Sequence, residues 1–265
     1  MKVELCQINT VLGDIDKNLK KIEFYIEKAK NDECDMVVFP ELALTGYNLR
    51  DLVYDVSLDV NDAFLDILKE QSKNIDIVLG YSQNDKNYFF NSALYLSEGK
   101  IKLNYKKNYL PDYGMFEEGR YFSSGKSIET VDTKFGRVTI LICEDMFHIS
   151  AQNEALVNST DILIVLSASP FWSDSRSIKP ELWKSVCSNF AQLSGSYLFF
   201  NNRAGFEDGV GFFGNSFFLS PFGKIIKEAK MFKEEAIMCD IDLNNLKRAK
   251  SFMPVLKNEV NCNDE

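Results

Sequence analysis

Short apolar runs alternate along this chain with stretches of helical periodicity, and that alternation most narrows the folds open to it. "KVELCQIN" (2–9) alternates apolar and polar residues as a strand does. "DMVVFPE" (35–41), "IDIVLGYSQ" (75–83), "GRVTILIC" (136–143), "DILIVLSAS" (161–169), "SYLFFNNR" (196–203) and "EAIMCDIDL" (235–243) are runs of strand length. Gly80 is expected to end the second of these. Between the runs, Leu19, Ile22, Ile26 and Ala29 repeat at helical spacing, with Asp16 as the expected N-cap. Residues 60–74, 149–159 and 180–195 read as further helices. Two hairpins are expected, 88–107 around Glu98–Gly99 and 214–229 around Pro221–Gly223. Strands this short and apolar must be covered on both faces, by helices or by a second sheet, so the expected fold class is α/β. No linker rich in Gly, Pro or Ser interrupts the pattern. One domain over 1–257 and a loose polar tail over 258–265 are expected.

The apolar content decides what else the chain can be. At 265 residues and 45% hydrophobic there is material for one large core. No run approaches the roughly 18 apolar residues that a bilayer span needs, and the first residues carry no export signal. No membrane association and a cytoplasmic location are therefore expected. With 39 acidic against 30 basic residues, a net charge of -9, the surface repels phosphate backbones and nucleic acid is not an expected partner. The six cysteines include no CxxC and no close pair, and there is a single histidine, His148. Neither a disulfide framework nor a metal site is expected, and most of the thiols read as small buried hydrophobes.

In open α/β sheets reactive groups gather beyond the carboxyl ends of strands. Three polar residues stand there: Glu41 after "MVVFP", Lys107 after "IKLNYK" and Cys143 after "VTILI". A free thiol has a pKa of about 8.5, so an attacking cysteine needs a base to take its proton. A carboxylate can do that, and an ammonium can stabilise the thiolate and then a tetrahedral oxyanion. The strand would place Cys143 at a sheet edge within reach of both. The backbone N–H of Glu144 is the natural second oxyanion donor, and Asp145 would hold the turn. Such a set suits acyl transfer from an amide or nitrile through a thioester. Read singly, each residue has a plain alternative: a loop carboxylate at Glu41, either of the solvated lysines Lys106 and Lys107, a helix cap at Asp145. His148 offers a rival Cys–His pair, at a five-residue spacing that does not favour one helix face.

At these residues the chain resembles the nitrilase superfamily, the carbon–nitrogen hydrolases, from about residue 1 to residue 257. "FPELALTGYNLRDL" (39–52) is similar to the family's glutamate motif, which implies Glu41 as general base. "YKKNYLPDYGMFEEGRYF" (105–122) is similar to the lysine motif, whose Lys-x-x-Leu-Pro register selects Lys107 and whose second glutamate falls on Glu118. "LICEDMF" (141–147) is similar to the cysteine motif, with Cys143 as nucleophile. "LSASPF" (166–171) and "NRAGFEDGVGFFGNSFFLSPFGKI" (202–225) resemble the segments that line the pocket and close the sheet. The resemblance implies a four-layer α-β-β-α sandwich, a homodimer and no cofactor.

"LPDYGMFEEGRYF" and "PELALTGYNLRDL" are most similar to the glutaminase domain of glutamine-dependent NAD synthetases. This sequence carries no Ser-Gly-Gly-x-Asp-Ser phosphate loop, so it is expected not to make NAD by itself. Ser167 stands where the family commonly has Asn, and "WSDSRS" (172–177) lacks the basic run frequent in the glutaminases. Three functions stay open: an amidase on a small amide or carbamoyl compound, a partner-dependent glutaminase module or scaffold, and a nitrilase. Tyr113, Phe171, Trp172, Phe206 and Glu207 are candidates for the pocket wall, with Glu207 pairing a cationic substrate amine; ordinary packing or solvation is the competing reading for each.

Overall fold

The computed structural model describes residues 1–171 and 180–258. Trp172, the rest of the "WSDSRS" stretch, Cys262 and the expected tail from residue 259 onward lie outside the described residues. Two six-stranded sheets carry the fold. The first contains β1 (Lys2–Gln7), β2 (Met36–Val38), β3 (Asp76–Asp85), β4 (Tyr88–Ser97), β5 (Lys100–Lys106) and β15 (Glu235–Asp240). Their order is β15-β1-β2-β3-β4-β5, with β1, β2 and β3 parallel and the others antiparallel. The second contains β6 (Thr130–Thr133), β7 (Gly136–Ile142), β8 (Ile162–Ser167), β10 (Tyr197–Asn202), β13 (Phe217–Leu219) and β14 (Ile225–Glu228). Its order is β14-β13-β10-β8-β7-β6, again a parallel trio (β10, β8, β7) flanked by antiparallel strands. A small third sheet joins β9 (Pro170–Phe171), β11 (Ala204–Glu207) and β12 (Val210–Phe213).

The period of two along each strand sorts its side chains between layers. Val3, Leu5, Met36, Val38 and Val78 join one core cluster with side chains of β7, β8, β10 and β13. Their sequence neighbours Cys6, Ile8, Val37, Phe39, Ile77 and Leu79 point the other way, into a second cluster. There they meet Leu19, Ile22 and Ile26 of the helix Ile15–Asn31, and Leu65 and Leu68 of the helix Ala63–Gln71. The helices Ile149–Val157 and Pro180–Ser194 bury Ala151, Ala155, Trp183, Cys187 and Ala191 against the second sheet. The expected α/β class and helix–sheet–sheet–helix layering are what the chain adopts. Among the described residues no helix is long and apolar enough to cross a membrane.

Several expectations are corrected. The first helix is capped by Asp14, not Asp16: it starts at Ile15, and Asp14 Oδ1 accepts the Lys17 N–H at 3.0 Å. Asp16 already lies in the first turn, where its carboxylate complements the positive end of the helix. The 60–74 helix is shorter, Ala63–Gln71, because Asp62 caps it. β3 runs through Gly80 to Asp85. A Cβ at Gly80 would lie 2.4 Å from the Leu42 nitrogen and 2.8 Å from the Glu41 Cα. The glycine is therefore a close-approach residue that lets the Glu41 backbone cross the strand, not a stop. The strand β6 and the hairpin β11–β12 were not expected. Asp208 and Gly209 form that hairpin's two-residue turn with φ of +47° and +79°, the left-handed pair that an Asp-Gly dipeptide adopts readily.

Candidate active site

Glu41, Lys107 and Cys143 arrive from β2, β5 and β7, and all three are buried. Cys143 does not sit at a sheet edge: β7 lies between β6 and β8, so the thiol stands at the carboxyl end of an interior strand. The chain turns there into a single short 3₁₀ segment, Cys143–Phe147, with Cys143 at φ +46°. A left-handed backbone at a non-glycine residue costs of order 1–3 kcal/mol and persists only where the surroundings enforce it.

Asp145 does the enforcing, and in doing so joins two strand ends. Its Oδ2 accepts the Ile142 N–H at 2.9 Å and the Tyr105 hydroxyl at 2.7 Å. Its Oδ1 accepts the N–H groups of Asn108, at 3.1 Å, and Tyr109, at 2.9 Å. The Cys143 turn is thereby tied to both sides of Lys107. Burial pushes the Asp145 carboxyl up to about 6, against the donors that favour its ionised form.

The Lys107 ammonium is fully buried and lies between two carboxylates. It donates to Glu41 Oε1 at 2.8 Å and to Glu118 Oε1 and Oε2 at 2.9 and 2.8 Å. Burial alone would lower its pKa; the facing Glu118 and Glu41 carboxylates outweigh that and hold it well above the ordinary lysine range. Burial raises Glu118 to about 7, with Lys107 opposing. Glu118 also accepts the Tyr47 hydroxyl at 2.5 Å.

Glu41 is held by three donors. Besides Lys107, the Asn91 amide reaches Oε1 at 2.8 Å and the Ala168 N–H reaches Oε2 at 2.7 Å. Oε1 thus has both of its lone-pair directions taken and Oε2 keeps one, so Oε2 is the oxygen able to take a proton. The Cys143 thiol is raised well above its ordinary value, first by burial and then by the Glu41 carboxylate. Lys107 and the Ser167 hydroxyl, 3.5 Å from Sγ, act in the opposite direction. Burial and the Glu41 carboxylate thus favour the thiol over the thiolate at Cys143.

Outside this cluster, Tyr109, Tyr113, Glu144 and His148 line a cavity of about 560 Å³. The Tyr113 hydroxyl donates to Glu144 Oε2 at 2.7 Å. The His148 ring stacks on Tyr109 at 3.7 Å, and its Nε2 faces Glu144 Oε1 at 3.6 Å. The imidazole is thus engaged away from the sulfur, which argues against the Cys–His alternative.

The candidate pocket residues divide. Tyr113 stands at this cavity. Phe171 is exposed on β9, edge-on to Phe232, and Phe206 is exposed on β11. Trp172 lies outside the described residues. Glu207 is a correction: it is buried, paired with Arg203 at 2.7 Å and bonded to the N–H groups of Tyr47 and Asn48. It has no free carboxylate for a substrate amine. Four contributors were missed as such: Asn91, Tyr47, the Ala168 N–H and the linking function of Asp145. A polar residue inside the apolar run "YFFNSALYLS" was the available signal for Asn91.

Comparison with known proteins bears on this arrangement. A glutamine-dependent NAD(+) synthetase of Acinetobacter baylyi is 30% identical over 259 residues, which is 96% of this chain and 46% of that protein. A probable nitrilase of Schizosaccharomyces pombe is 26% identical, over 88% of this chain and 86% of its own length. The solved glutamine-dependent NAD+ synthetase of Acinetobacter baumannii superimposes with a TM-score of 0.83 at 28% identity, covering 92% of this chain and 46% of that one. The chain therefore spans about half the length of the curated synthetases it matches. Residues 2–251 match the carbon-nitrogen hydrolase family, and the chain belongs to that family.

Proposed function

We propose that this protein is an amidase that cleaves a small amide bearing a cationic group, through a thioester on Cys143. One observation carries the reading: a buried carboxylate, a buried ammonium and a buried thiol converge from three separate strand ends. Glu41 Oε2 accepts the thiol proton as the sulfur bonds to the amide carbon and the carbonyl electron pair moves onto oxygen. Lys107 has three N–H bonds; with one directed to Glu41 and one shared between the two Glu118 oxygens, the third serves the oxyanion. The Glu144 N–H is its second donor. Collapse of the intermediate breaks the carbon–nitrogen bond, and the proton on Glu41 leaves with the departing ammonia or amine. Glu41 then takes a proton from water, which attacks the thioester and releases the acid and the free thiol.

The half-buried Glu144 carboxylate, steadied by Tyr113 beside the nucleophile, supports a substrate with an ammonium group. Glutamine has one, and the similarity to glutamine-dependent synthetases favours a second form of the reading, in which the ammonia serves a synthetase partner. The family resemblance also implies pairing of two copies, which sedimentation velocity tests by mass. For the activity, ammonia release is measured from glutamine, other ω-amides, carbamoylated amines and nitriles. Cys143→Ala, Lys107→Ala and Glu41→Gln should each lose activity, by roughly 10²–10³ where an oxyanion donor is removed. An adduct on Cys143 should appear by intact mass. Full turnover in any of the three variants refutes the assignment.

A further inference from the structure

Glu207 lies 160 positions from Tyr47 in sequence, yet its carboxylate holds that residue's backbone. Oε1 accepts the N–H groups of Tyr47 at 3.0 Å and Asn48 at 2.7 Å, while Oε2 accepts Arg203 Nη1 at 2.7 Å. Arg203 is itself anchored. Its guanidinium lies 4.2 Å over the Phe212 ring, and its Nη2 donates to the Thr10 carbonyl at 3.2 Å and to Asn9 Oδ1 at 3.3 Å. The Tyr47 ring stands edge-on to Phe212 and Phe116, so its hydroxyl can point one way, to Glu118. Glu118 in turn grips Lys107 with both oxygens. The loop from Glu41 to Tyr47 is thus fixed at one end by Asn91 and Ala168 and at the other by Glu207.

We propose that Glu207, anchored by Arg203, is a positioning residue of the active site: it sets Tyr47 so that Tyr47 holds Glu118 and Glu118 holds Lys107 over the nucleophile. The inference rests on the hydrolase reading only in taking Lys107 to serve Cys143. An isolated buried ion pair adds little to stability compared with apolar side chains in its place. This pair differs in that its carboxylate is also the acceptor for two N–H groups of the loop leading to the lysine clamp. A purely structural pair would affect folding alone; a positioning pair must affect turnover through Tyr47.

The test is a double-mutant cycle on the full chain with Glu207→Gln, Tyr47→Phe and both together. Two readouts are taken: kcat and KM on an amide that the wild type cleaves, and the rate of Cys143 alkylation by iodoacetamide against pH, which needs no substrate. Each single change should lower kcat about 10-fold, less than the roughly 10²-fold that a 1 Å misplacement can cost, with KM within about 2-fold. Alkylation at neutral pH should slow as Lys107 loses its hold beside the sulfur. The double variant should be no slower than the slower single. Independent, multiplying effects overturn the proposal, as does wild-type kcat or alkylation in Glu207→Gln. Should that variant not fold, Arg203→Met with Glu207→Met replaces the pair by apolar side chains, and wild-type turnover in it overturns the proposal equally. Failure of the wild type to cleave any amide would refute the amidase reading, while the alkylation cycle would still decide this one.

Discussion

Replacing Lys107 by Met removes the cation between Glu41 and Glu118 while keeping most of the side chain's volume. Both carboxylates are buried, at 1% and 6% exposure, and in the wild type they share that one ammonium. Breaking a buried charge set by removing one partner costs about 3–5 kcal/mol. At roughly 2–4 °C per kcal/mol for a chain of this size, the melting temperature at pH 8 should fall by about 6–20 °C. The pH dependence is the sharper part. Without the ammonium, two like charges face each other in a dry site, so at least one carboxyl takes up a proton and its folded pKa rises above the unfolded value near 4.5. A carboxyl with a raised folded pKa contributes stability that is present at low pH and lost as the pH climbs through that value. Burial already raises Glu118 to about 7 with the lysine present, and losing the lysine raises it further, so the two proteins part as the pH climbs through about 7 and beyond. Thermal melts of both proteins from pH 4.5 to 8.5 should show a gap that is small at the acid end and widest at the alkaline end. A gap that does not change with pH would refute the claim that Lys107 is what allows the two carboxylates to stay ionised together.

Asp145→Asn keeps one acceptor but turns an amide toward a donor, most simply the Ile142 N–H, leaving it unpaired; a cost of about 1–3 kcal/mol in chemical denaturation is expected, with a fall in kcat. Ser167→Ala removes the hydroxyl beside Sγ, so the pH profile of Cys143 alkylation should move to higher pH; an unchanged profile would show that the contact does not stabilise the thiolate. Asn91→Ala frees Glu41 Oε1 from one of its donors, and should reduce kcat about tenfold with a small stability loss, read by steady-state kinetics and melting together.

The three candidate residues that the structure brings together were legible because each closes an apolar run. An apolar run that ends in Glu, Lys or Cys announces itself locally, and motif resemblance resolved Lys107 from Lys106. Glu118 came from that resemblance, not from spacing. Asn91 was not legible, because its function depends on β4 lying where its carbonyl accepts the Lys107 N–H while its side chain reaches Glu41. Glu207 misled for a related reason: a carboxylate beside an Asp-Gly turn looks solvated in sequence, yet the hairpin folds it inward onto Arg203 and the Tyr47 loop. The Asp208–Gly209 pair between "AGFE" and "VGFF" was a readable hairpin signal.

By itself the sequence determined the α/β class, the order of the principal strands and helices, and which side chains close the strands, because periodicity and apolar length are local properties. Tertiary structure alone decided which lone pair of Glu41 remains open, how two carboxylates share Lys107, and that Asp145 ties the thiol turn to the lysine strand. Those outcomes depend on distances between segments far apart in the chain, and on the burial that makes each hydrogen bond and charge count.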